Sequence, residues 1–249
     1  MRQRVREAVA VMITCGMLGA CGAVGEYQGD PAIRGVTLSG QINTVGPLPK
    51  LDPIPVYRDS EICGELMPSE ALLVEGKINS VEGVVVSLEG VTQGKPMHYD
   101  HTIVIESRNC RFVPRVNAAV VGTLLAIQSK DPIMHNTHVR KNGRFGETVL
   151  NVLQPAGARG VQKRLTTEGS LDVRCDIHPF MRASIHVFGH PYFTISDSAG
   201  NFDLTQVPPG TYRLVLWHEI LGMREQLITI PAEGAMMLEI ELDVRRTIR

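Results

Sequence analysis

This chain is poor in aromatic side chains, in charge of one sign and in long apolar runs, and each scarcity excludes a class of protein. Aromatics make up 5% of 249 residues and Trp occurs once, yet Val, Leu, Ile and Gly are plentiful. That balance fits a globular all-β chain better than a disordered one. The formal net charge is -1 and the basic residues are scattered, so there is no basic stripe on which to seat nucleic acid. After residue 20 no apolar run approaches the ~20 residues of a membrane-spanning helix. C-x-x-C and C-x-x-C-H are both absent, which removes thioredoxin-like exchange and covalent haem. There is no Ser/His/Asp arrangement, phosphate-cradling Gly-rich loop, internal repeat or long helical period. The expectation is a protein without substrate chemistry of its own.

What is present begins at the N-terminus. Arg2, Arg4 and Arg6 precede an apolar run from Ala8 to Ala20, the pattern of a secretory signal over residues 1–20. The run ends in Leu18-Gly19-Ala20-Cys21, which resembles the lipobox of bacterial lipoproteins. The resemblance implies cleavage before Cys21 and a lipid on that cysteine. It also implies a periplasmic or extracytoplasmic body that meets the membrane through this lipid alone. Residues 21–34 read as the tether, polar and without periodicity. Export leaves Cys63, Cys110 and Cys175 in the mature chain, and an oxidising compartment favours one disulfide. Cys175 has metal-ligand neighbours, so Cys63 with Cys110 is the expected bridge.

From residue 35 onward, short β-branched and apolar runs bounded by Gly, Pro and Asn predict strands in GVTLSGQI, GVVVSLEGV, HTIVIES and AAVVGTLLAIQS. PLPKLDPIPVYRD, rich in proline, predicts an extended edge or loop. Residues 140–163, basic and Gly-rich, predict a long surface loop with one short strand at ETVLNVL. Near the C-terminus, FTIS, FDL and TYRLVLWHE are separated by DSAGN and VPPG. The simplest account is strand, turn, strand, turn, strand, with Tyr212, Leu214 and Leu216 on one face. This DxxGxF…VPPGTYxLxxWH pattern resembles the carboxypeptidase regulatory-like, or transthyretin-like, β-sandwich.

LDVRCDIHPFMRASIHV places Cys175, His178 and Met181 three residues apart. By itself this is weak, since buried Cys and Met are ordinary core residues. Its weight comes from SKDPIMHNTHV upstream, which holds His135 and His138. Soft thiolate and thioether with imidazole suit copper, with His2Cys in a plane and a long axial Met. Zinc rarely uses a thioether. A zinc site of His135, His138, Cys175 and His178 stands as the alternative. His138, three residues after His135, points to the opposite strand face and reads as structural. His186, His190 and His218 read as ordinary hydrogen-bonded histidines, and His98 and His101 as solvated.

The stretches MHNTHV and CDIHPFMRASIHV resemble the two copper-binding segments of amicyanin and related cupredoxins. The resemblance implies His135, Cys175 and His178 as equatorial ligands and Met181 as axial ligand, with Asn136 bonded across to the ligand loop. It implies a single-electron carrier whose redox partner docks on the apolar patch near His178 and Phe180, with His178 as the electron port. The chain departs from the pattern in the 39 residues between His135 and Cys175 and in Arg174 directly before the cysteine. The expected architecture is therefore all-β. A cupredoxin-like Greek-key sandwich over residues 35–188 precedes a smaller transthyretin-like sandwich over residues 189–249. The competing function is a non-catalytic carbohydrate- or protein-binding module, of the type accompanying polysaccharide lyases, with a structural or zinc-bound site.

Overall fold

Period-two alternation builds most of this molecule, and its longest example is Val36–Val45. Every second residue from Val36 to Thr44 is buried and the ones between are half-buried, so one strand face enters a core. The computed structural model describes residues 26–75 and 79–244. The expected signal segment and Cys21 lie outside the described residues. Among these residues the only α-helix is the single turn Ser60–Cys63; nearly everything else regular is strand.

The strands form two sandwiches. In the first, one sheet runs in the order 193–195, 85–89, 210–218, 222–230. The facing sheet has Val36–Val45 between Asn201–Val207, antiparallel to it, and Ala235–Asp243, parallel to it. Leu38, Ile42, Phe202, Leu204 and Ile240 from this sheet meet Val86, Leu88, Leu214, Leu216 and Ile228 from the other. Tyr212 packs against the same core, which puts it on the face expected with Leu214 and Leu216. Gly40 is required at its position, because a Cβ there would lie 2.5 Å from the Phe202 ring.

The second sandwich is continuous in sequence. One sheet runs 111–113, 102–108, 124–129, 161–164; the other runs 116–120, 182–188, 169–174, 135–141, 148–154. Ile105, Leu125 and Ile127 from the first sheet pack with Val139, Leu171, Val173 and Ile185 from the second. The run AAVVGTLLAIQS becomes two strands in different sheets. It breaks at Gly122, whose φ of 98° is in the region that side chains disfavour.

The sheets do not divide at the expected boundary between residues 188 and 189. Val36–Val45 and Val85–Glu89, expected with the histidine and cysteine motifs, hydrogen-bond to strands from beyond residue 192. The 102–188 sandwich is thus inserted between two halves of the other. The physical reason is pairing: 210–218 and 222–230 pair with each other, but 201–207 and 235–243 meet only through Val36–Val45 and 193–195 is held by Val85–Glu89. The two sandwiches touch where the His186 ring lies 4.3 Å from that of Trp217 and Phe188 stacks on Phe193 at 4.6 Å. Arg115 also grips Glu219 with two nitrogens, at 2.9 and 2.7 Å.

Two further expectations change. The 21–34 tether is not free along its described length. Gln28–Gly29 pairs in parallel with Gln93–Gly94, and the Tyr27 hydroxyl donates to the Lys95 carbonyl at 2.5 Å. Residues 140–163 hold the expected strand, Thr148–Gln154, and a second one that was not expected, Val161–Arg164.

Candidate metal centre

The strand His135–Lys141 is buried along its first five residues, because it runs between 148–154 and 169–174 in its sheet. Its first residue, His135, points into the end of the sandwich. The hairpin 169–174 to 182–188 closes over the same end with the loop 175–181. That loop is tightened by Met181 N–H to the His178 carbonyl at 2.9 Å and Cys175 N–H to the Met181 carbonyl at 3.3 Å. Three donor atoms converge there. The ligand atoms of His135, Cys175 and His178 all lie within 4.8 Å of one another, and all three residues are buried. His135 Nδ1 is 3.1 Å from His178 Nδ1, which is 3.7 Å from Cys175 Sγ.

The far side of each imidazole is held by a carboxylate. His135 Nε2 lies 2.8 Å from Asp131 Oδ2, and His178 Nε2 lies 2.8 Å from Asp59 Oδ2. A carboxylate oxygen accepts, so each Nε2 carries the proton and each Nδ1 presents a lone pair. Two lone pairs 3.1 Å apart repel unless a cation or a shared proton lies between them. Cys175 Sγ accepts the N–H of Asn136 at 3.4 Å and of His178 at 3.3 Å, an environment that suits a thiolate. Burial raises the Cys175 pKa against these backbone bonds and lowers that of His135 against Asp131. Burial thus keeps the thiol protonated and the imidazole neutral, and a cation must displace the thiol proton.

Asn136 bonds across to the loop 175–181. Its Oδ1 accepts the Asp176 N–H at 2.5 Å and its Nδ2 donates to Asp176 Oδ2 at 3.3 Å. Burial alone would raise the Asp176 pKa, but His138, Asn136 and Arg140 outweigh it and hold the carboxyl below its usual range. His138 stays outside the donor cluster, with Nδ1 2.8 Å from Asp176 and Nε2 2.8 Å from Thr148 Oγ1. Met181 is buried in the core that also holds Cys175. Cys63 and Cys110 form a disulfide.

His178, the residue expected as the electron port, is buried, at 0% exposure. Residues 54–67 lie over it as a strap, Ile54 pairing with Met67 and Val56 N–H bonding to the Glu65 carbonyl. The Cys63–Cys110 disulfide fixes the strap to the inserted sandwich, and Phe180 and Ile133 pack against its Val56 and Met67. Asp59 stands at the N-cap of the Ser60–Cys63 turn but makes no side-chain cap bond, its carboxylate being turned to His178 instead. Asp131 ties the arrangement together by also accepting the N–H groups of Asn109 and Cys110, at 2.6 and 3.0 Å. Neither aspartate was expected from the sequence. The available signals were the four-residue spacing of Asp131 before His135 and the closeness of Asp59 to Cys63.

Among the other histidines, His190 Nδ1 accepts the Tyr192 N–H, and His218 Nδ1 those of Ile220 and Leu221. His186 Nε2 has no hydrogen-bond partner among the described residues, contrary to expectation, because its ring faces Trp217.

Taken together, these elements define an all-β protein with a buried His/Cys/His cluster of the metal-binding type. No protein-family model and no curated protein matches the chain. Solved structures match part of it. A copper-containing nitrite reductase (NirK) from Thermus scotoductus SA-01 aligns with 36% of this chain and 23% of its own, at 21% identity and TM-score 0.32. Amicyanin from Paracoccus versutus aligns with 36% of this chain and 84% of its own, at 20% identity and TM-score 0.31. The chain thus spans less than a quarter of the nitrite reductase.

Proposed function

We propose that this chain is an exported, lipid-anchored type 1 copper protein that carries single electrons between redox partners. The observation that carries this reading is the donor cluster itself. Two imidazoles are fixed by Asp131 and Asp59 so that both Nδ1 atoms face the Cys175 sulfur. That set fits a soft-to-borderline ion, and copper is the one for which thiolate, imidazole and a thioether from Met181 form a preferred environment. His135, Cys175 and His178 would hold it, with Met181 as the weak fourth donor. Copper supplies a one-electron couple when bound. The chain's own contribution is to keep the donors in place: carboxylates and backbone N–H groups hold them before any ion arrives, and the buried setting excludes water. Export and the lipid on Cys21 belong to the same proposal. Among the described residues no helix is long and apolar enough to cross a membrane.

The test is to add copper(II) to the chain from residue 22 onward and record its visible spectrum and metal content. An intense blue thiolate-to-copper band is expected, and Cys175→Ser abolishes it. A colourless protein that takes up stoichiometric zinc in preference to copper overturns the reading. Separately, Cys21→Ala is expected to release the full chain from the membrane fraction.

A further inference from the structure

With the His178 side covered by the strap, the donor cluster approaches the surface elsewhere. Cys175 and Asp176 line a hollow of about 290 Å³ together with Arg140, Arg144, Arg174, Arg182 and Phe145. These residues come from both elements that hold the donors. Arg140 is on the strand that begins with His135, Arg144 and Phe145 are on the turn after it, and Arg174 and Arg182 flank the ligand loop. Two of the four guanidinium groups have an acid beside them, Arg174 with Asp172 at 2.5 Å and Arg140 with Asp176 at 4.0 Å. Among the described residues Arg144 and Arg182 are in no ion pair, and both are exposed. The rim therefore carries an excess of positive charge on a chain whose net charge is -1. Phe145 is 94% exposed, held out by a tight turn in which Gly146 N–H bonds to the Gly143 carbonyl. Gly146 is needed there, since a Cβ would collide with the Lys141 carbonyl. Arg144 lies over the Phe145 ring, 5.6 Å from its centroid. Arginine around an exposed aromatic is the composition of a protein docking site.

We infer that this arginine-rimmed hollow is the docking surface for an acidic redox protein, with electrons passing through Cys175 rather than through His178. The inference rests on the electron-carrier reading above and names where the partner sits. Positive charge around the hollow steers an acidic partner to it, Phe145 supplies the apolar contact, and Cys175, buried at 1% exposure, is the member of the donor cluster that lines it.

The experiment follows oxidation of the reduced, copper-loaded chain by hexacyanoferrate(III) in stopped flow at low and high salt. One electron leaves each protein and reduces one hexacyanoferrate(III) to hexacyanoferrate(II). In the wild type the rate is expected to fall as salt rises. At low salt Arg144→Glu is expected to slow it by about tenfold, the scale of electrostatic steering. Tyr57→Glu, on the strap and 92% exposed, is expected to change it by less than about twofold. Unchanged blue absorption in both variants shows that the site is intact. If Tyr57→Glu slows the reaction and Arg144→Glu does not, electrons leave by the strap side and the inference is overturned. A second measurement titrates the 15N-labelled reduced chain with poly-glutamate. Shifts clustered at residues 140–146 and 174–182 support the hollow as an acidic-protein surface; shifts clustered on the strap overturn it. Binding to anionic phospholipid vesicles but not to poly-glutamate also overturns it. Absence of the blue band at the outset is different, because it removes the electron-carrier reading and the docking inference together.

Discussion

Asp59 and Asp131 decide which imidazole nitrogen faces the cluster, so they are the residues to remove. Asp59→Ala and Asp131→Ala are each expected to lower copper affinity by roughly 10- to 100-fold, the range for losing a carboxylate behind a histidine ligand. Competition against a copper chelator of known affinity measures it, and an unchanged affinity in both would show that the carboxylates only pack. His135, Cys175 and His178 were legible because local spacing and ligand chemistry are properties of short sequence. The aspartates were harder to read: Asp131 stands only four positions before His135, but Asp59 reaches His178 across 119 positions. The histidines at the junction make a different prediction. Burial pushes His186, His190 and His218 down to about 4, from an unfolded value near 6.5. The unfolded chain then binds more protons between those values, so stability is complete above pH ~6.5 and declines as pH falls toward ~4. Each histidine accounts for up to about 3 kcal/mol at the acid end. Urea midpoints of the metal-free protein at pH 7 and 4.5 check this, and equal midpoints would contradict it.

Among the elements, the strap is the one whose role the sequence concealed. Its prolines gave an extended segment correctly, and elimination among the cysteines gave its disulfide, but neither says what it covers. Val56, Met67 and Phe180 form a small cluster only after the fold brings them together. Cys63→Ser with Cys110→Ser is expected to lower stability by roughly 4 kcal/mol, from the loop entropy that a bridge across 47 positions removes. The same change is expected to speed hydrogen exchange at residues 54–67 before the rest of the chain, because few other contacts hold the segment. Uniform exchange across the chain would mean that the strap is fixed without the bridge. Strand Val161–Arg164 was misread for a related reason. It is an edge strand exposed along its whole length, so its polar, basic setting looked like a loop.

For the whole molecule, alternation and turn residues were enough to read the all-β class, but not which strands share a sheet. Pairing is non-local, and Val36–Val45 carries no sign that its neighbours begin at Asn201 and Ala235. The C-terminal residues 189–249 alone are accordingly expected not to fold. They lack Val36–Val45 from the middle of one sheet and Val85–Glu89 from the middle of the other. A far-ultraviolet spectrum and a thermal scan of that fragment check this; a cooperative transition would show that it is self-sufficient.

The inserted arrangement also sets an order in time. On a chain made at ~5–20 residues per second, Gln41 waits roughly 8–32 seconds for Asn201, which lies 160 positions later. During that interval the 102–188 sandwich has all its strands and can close, while Val36–Val45 remains an open edge able to pair with a neighbouring chain. The hazard in making this protein therefore falls on its earliest long strand, and the donor cluster is assembled before the framework that carries it.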